Sequence, residues 1–171
     1  MTAEIQNFLT RDDRELIGAI KSGIREHIAK LQSRGDSFTG YAVMPGSEDS
    51  VPSLVVNHSS QFRVSDGDSC LVDEWPNYGY DELPAADTLL ATLNRRFREL
   101  PDAEPYRRAH VMKLHESIFT ALVELRPDKQ LGGGDSYVVI WIPDSSCEII
   151  HRSAKELNSP QVYETFQSEC G

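Results

Sequence analysis

Residues 137–142 read YVVIWI, apolar or aromatic at every position. A half-buried strand alternates apolar and polar residues; an unbroken run has no face to turn to water. It is also far short of the ~20 residues that a membrane-spanning helix needs. The run therefore predicts a central strand covered on both faces, and the cover has to come from helices.

The rest of the chain supplies them. From about Asp13 to Gln32, Leu16, Ile17, Ile20, Ile24, Ile28 and Leu31 recur at three- and four-residue steps and make one apolar stripe. Asp12 is placed to cap that helix, with Glu15 three residues on, and Gly35 follows where a left-handed residue would end it. A second pattern, from about Glu82 to Leu100, puts Ala86, Leu89, Leu90, Leu93, Phe97 and Leu100 on one side. Pro84 fits only its first turn, which makes Asp81 the natural cap. A third helix runs from near Pro105 to before Pro127, with Val111, Leu114, Ile118, Leu122 and Leu125 inward. Two short helices close the chain, Ile149 to Leu157 and Pro160 to Ser168, the latter capped by Ser159.

Between the first two helices lie three extended segments: FTGYAVM (38–44), SLVVNH (53–58) and QFRV (61–64), the last two joined by Ser59-Ser60 as a hairpin. LGGGD (131–135) is a connector. The order α-β-β-β-α-α-β-α-α predicts one α+β domain over residues 1–171. Its sheet is expected to be mainly antiparallel, of about four strands, packed against helices.

The charge is lopsided. The chain carries a formal −10, and residues 35–94 hold ten acids (Asp36, Glu48, Asp49, Asp66, Asp68, Asp73, Glu74, Asp81, Glu82, Asp87) against Arg63 alone. That segment nets −9, leaving −1 for the other 111 residues, whose 16 bases nearly balance 17 acids. Such a balance argues against nucleic acid or an anionic membrane as the main partner. The first twenty residues lack the basic start and apolar run of a secretory signal, so the expected location is cytoplasmic. Cys70, Cys147 and Cys170 show no CxxC spacing and are expected as free thiols.

Several chemistries find little footing. A calcium loop begun at Asp66 has Cys70, Leu71 and Asn77 where ligand, glycine and glutamate belong, leaving only a loose cation site among Asp66, Asp68 and Asp73. There is no HExxH and no GxSxG, and His27 falls on the apolar stripe, as a hydrogen-bonded core histidine does. Cys147 and His151 would be helical neighbours, but no third residue orients them. The glycines of LGGGD follow a helix and precede a strand, the reverse of a phosphate loop. No cofactor is expected. The basic stretch 95–113 is expected to be ordinarily solvated; it would otherwise suit RNA, or the acidic third of the same molecule or of a copy of it.

The densest polar stretch is CLVDEWPNYGYDEL (70–83). Trp75 is expected under the sheet. Tyr78 and Tyr80, with Asp73, Glu74, Asp81 and Glu82, would form an acidic-aromatic rim suited to a basic protein partner. The alternative is an enzyme whose site lies where Glu74 and Trp75 meet Arg152 and Asn158.

YAVMP (41–45), VDEWPNYG (72–79), VVIWIPDS (138–145) and RSAKELNSP (152–160) together resemble the bacterial proteins grouped as domain of unknown function 4303. The resemblance spans nearly the whole chain and implies no established activity. By analogy of size, acidity and build, the expected role is that of a non-enzymatic interaction module of the immunity or antitoxin kind. The oligomeric state is left open.

Overall fold

The computed structural model describes residues 1–76, 81–128 and 130–170. A helix absent from the sequence reading comes first: α1 (Ala3–Thr10), capped by Thr2, whose hydroxyl accepts from the Ile5 N–H at 3.3 Å. It is held by Lys113, which donates to the Phe8 carbonyl at 2.6 Å and lies 4.7 Å from the centre of the Phe8 ring.

The expected amphipathic helix is α2 (Arg14–Ser33), and all six residues of its stripe are buried. It ends as read: Gly35 has φ +78°, its N–H bonds to the Gln32 carbonyl, and the Asp36 N–H reaches the Leu31 carbonyl. The start differs. Asp13 takes the cap position without a side-chain cap, because its carboxylate lies 3.1 Å from Lys113. Asp12 accepts from Arg14 Nε at 2.7 Å instead of closing a capping box.

Four strands make one sheet: β1 (Gly40–Met44), β2 (Val55–Ser59), β3 (Asp81–Glu82) and β4 (Tyr137–Ile140), in the order β3-β2-β1-β4. The fold is α+β as expected, but the sheet is mixed: β1–β2 and β2–β3 are antiparallel, while β1–β4 is parallel. A parallel pair needs a long crossover, and here it contains α3 (Pro84–Arg98) and α4 (Arg107–Leu125). The hairpin joins β1 to β2, so the expected pairing of 53–58 with 61–64 does not form. QFRV leaves the ladder: Phe62 turns inward at 2% exposure, and the Arg63 N–H bonds to the Ser69 hydroxyl. Asp81, expected to cap α3, pairs with Val56 in β3, and Leu83 occupies the cap position ahead of Pro84.

β4 stands at the end of the sheet rather than at its centre, yet all four of its residues are 0% exposed. Alternate amides of a strand point to opposite neighbours. Those of Tyr137 and Trp141 reach the Thr39 and Val43 carbonyls beside and within β1, both at 2.9 Å. Those of Val138 and Ile140 point outward, where side chains meet them. Asn158 Oδ1 accepts from Val138 N at 2.7 Å, and Asn158 Nδ2 donates to the Val138 carbonyl at 2.7 Å. Ser153, in α5 (Glu148–Glu156), accepts from Ile140 N at 2.9 Å. One amide and one hydroxyl thus stand in for a fifth strand.

The two sheet faces are covered differently. Tyr41 faces α2, through His27. Gly40 lies under Trp75, so close that a Cβ at position 40 would sit 2.9 Å from the indole. Tyr137, on the Gly40 side, is stacked on Phe62 and lies 6.4 Å from Phe166 of α6 (Pro160–Glu169). Ser159 caps α6, accepting from Val162 N at 3.4 Å, as read from the sequence. Beyond α4, the Arg126 guanidinium donates to the carbonyls of Leu157, Leu131 and Ser136 and pins the connector.

Candidate functional site

The chain between Gly67 and Pro76 crosses the sheet face opposite α2 in two 3-10 turns, Gly67–Cys70 and Val72–Glu74. That path decides the fate of its side chains. Trp75 is 4% exposed, donates from Nε1 to the Ser69 carbonyl at 2.9 Å and meets the Tyr137 ring edge-on at 6.3 Å. It is a core residue, as expected. Asp73 and Glu74 point to water, and Asp73 accepts from Trp141 Nε1 at 3.1 Å. Tyr78 and Tyr80, the aromatic part of the expected rim, lie outside the described residues. Asp81 and Glu82 are exposed on β3, the far edge of the sheet from β4.

Asp81 has a partner that the sequence did not disclose. His27, 5% exposed, lies 2.9 Å from Tyr41 Oη through Nδ1 and 3.0 Å from Asp81 Oδ2 through Nε2. The His58 ring centre is 5.6 Å away. Burial holds the His27 pKa below the usual value, against the pull of Asp81. His58 is likewise lowered by burial, with Asp36 and Asp81 opposing. Tyr41 is 0% exposed and its pKa is pushed far up by burial, so the chain of bonds ends in a hydroxyl that no solute reaches. The arrangement orders β3 against α2 rather than presenting a nucleophile. A histidine on an apolar stripe was the only local hint of it.

The two motifs of the alternative reading have separate occupations. Arg152 binds Glu116 and Glu156 and lies 4.3 Å over the Phe119 ring. Asn158 is spent on the backbone of β4 and on the Ala154 carbonyl. Neither hydrogen-bonds Glu74 or Trp75. Cys147 precedes α5, and His151 meets Phe166 edge-on at 5.5 Å. Among the described residues no group of three or more His, Cys, Asp or Glu side chains is placed to hold a metal ion, Asp66, Asp68 and Asp73 included. Two clefts flank α3. One, of about 840 Å³, has Asp49, Asp102 and Glu104 beside Arg98 and Arg107; the other, of about 650 Å³, has Arg96 beside Asp12, Asp13 and Glu15. Part of the basic stretch 95–113 therefore shares its clefts with acids of the same molecule.

What remains is the acidic map. Nine of the ten acids in residues 35–94 are exposed; the tenth, Asp87, is half-buried and accepts from Leu54 N at 2.7 Å. Among the described residues, Asp36, Glu48, Asp49, Asp66, Asp68, Glu74 and Glu82 form no ion pair with Lys or Arg. The cations that do pair use other acids: Arg14 and Lys21 share Glu124, Lys113 takes Asp13, and Arg152 takes Glu116 and Glu156. No helix among the described residues is long and apolar enough to cross a membrane. In comparisons with known proteins, no family model, no curated protein and no solved structure matches the chain.

Proposed function

We propose that this chain is a cytoplasmic, non-enzymatic interaction module whose acidic 35–94 region engages a basic protein partner, in the manner of an immunity or antitoxin protein. The observation that supports it is the seven exposed carboxylates that form no ion pair with Lys or Arg among the described residues. Solvated charges of one sign raise the encounter rate of an oppositely charged partner and disfavour wrong ones. Among the described residues, the Lys and Arg ion pairs that form engage acids outside residues 35–94.

The test uses carboxylates that carry no fold contact. A variant with Asp66→Asn, Asp68→Asn, Glu74→Gln and Glu82→Gln should melt within a few degrees of the parent, since exposed substitutions cost about 0.5 kcal/mol or less each. In a pull-down from native cytosol, the parent should retain a basic protein at low salt and release it at high salt, and the variant should retain none. Equal retention by parent and variant refutes the proposal.

A further inference from the structure

Cys70 and Cys170 are separated by 100 residues of sequence, and their sulfurs face each other at 2.7 Å as free thiols. The gap is some ~0.7 Å longer than a covalent S–S bond. The two elements that carry them are fixed to one another. The Ser65 N–H donates to the Thr165 hydroxyl at 2.9 Å, and a Cβ on Gly67 would lie 1.8 Å from Glu169 Cγ, so α6 sits directly on the 3-10 turn. The pair is asymmetric: Cys70 is 0% exposed, whereas Cys170, at the end of α6, is partly open to water. Tyr137 Oη lies within the electrostatic reach of both thiols and is a buried hydroxyl without a hydrogen-bond partner among the described residues.

We propose that Cys170 and Cys70 form a redox-active dithiol that a hydroperoxide oxidises to an intramolecular disulfide. Cys170 is attacked by solvent-borne oxidant and Cys70 resolves it. The hydrogen bond from Cys70 favours the Cys170 thiolate, against burial and the nearby Glu169 and Glu74, while that bond and burial keep Cys70 protonated. In the first step the Cys170 sulfur attacks one oxygen of hydrogen peroxide. The O–O bond breaks, the departing hydroxide takes up a proton as water, and Cys170 becomes a sulfenic acid. In the second, the Cys70 sulfur attacks the Cys170 sulfur, the S–O bond breaks, and the hydroxyl leaves with the Cys70 proton as a second water. Two thiols lose two electrons and one peroxide becomes two waters. A dithiol reductant reverses the change by exchange.

Reduced protein treated with one equivalent of hydrogen peroxide should lose two hydrogens by intact mass. It should yield a peptide linking Cys70 to Cys170 and stay monomeric on a non-reducing gel. Because the bridge closes a long loop, the Tm should rise by about 5 °C or more and return on reduction. In Cys70→Ala, dimedone should label Cys170 and not Cys147. A label on Cys147 instead, a bridge between two chains, or both thiols left free after peroxide would each overturn the proposal. Should Cys70→Ala fail to fold, the bridge mapped in the parent decides.

Discussion

Trp75 and His110 are the residues on which the interior can be tested most sharply. Trp75 fills the space that Gly40 leaves above β1, so Trp75→Ala should cost about 3–5 kcal/mol in urea unfolding; a loss under about 1 kcal/mol would place the ring at the surface. His110 is stacked on Phe97 at 4.3 Å, and its Nε2 lies 2.9 Å from Asn94 Oδ1, while Nδ1 has no partner among the described residues. A second proton would have no acceptor. Burial first, and Lys113 second, lower its pKa to about 4. The unfolded ring titrates near 6.5, so between these values the unfolded chain binds more protons than the folded one. Stability is therefore full above about pH 6.5 and falls as the pH drops toward 4, by about 3 kcal/mol from this ring. His27, His58 and His115 are also lowered by burial and act in the same direction. Urea midpoints between pH 7 and 4.5 should fall, and fall less steeply in His110→Gln. An equal slope in the variant would count against the assignment.

At the scale of elements, the sheet edge carries the argument. Asn158→Ala would leave the N–H and the carbonyl of Val138 without partners in a strand that is 0% exposed, at a cost of about 2–4 kcal/mol. Asn158→Asp keeps the acceptor but loses the donor, and it should be no better. Costs below about 1 kcal/mol for both would mean that water already serves this edge. The same edge shows what the residues declared and what they did not. Hydrophobic runs report burial, so the long helices and β4 were legible from Leu16, Leu114 and Val138 outward. Burial does not report rank in a sheet, and the partners that let β4 end the ladder are two polar side chains from α5 and beyond. Arg152 and Asn158, read as site residues, are bonded to Glu116 and Glu156 and to the β4 backbone respectively. β3 is only Asp81-Glu82, with no alternation to see, and its register depends on Val55 and Val56. Cys70 and Cys170, like His27 and Asp81, meet through the fold alone.

Across the whole molecule, charge is the property that sequence and structure describe alike. The segment excess of −9 survives folding largely as exposed carboxylates, and the Lys and Arg ion pairs among the described residues engage acids outside that segment. The exposed carboxylates fall in three groups: Asp36 and Asp81 within reach of His58, with Glu82 next to Asp81 on β3; Glu48 and Asp49 after β1; and Asp66, Asp68, Asp73 and Glu74 along the 3-10 turns. Trp75, buried as expected, follows the last of these in the chain. The most direct measurement is the association rate of the captured basic partner against salt, by stopped flow, for the parent and the fourfold charge variant. Steered encounter predicts a parent rate that falls steeply from 0.02 to 0.5 M salt, and a variant about tenfold slower at low salt with a flattened slope. Superimposable curves for the two proteins would contradict the account.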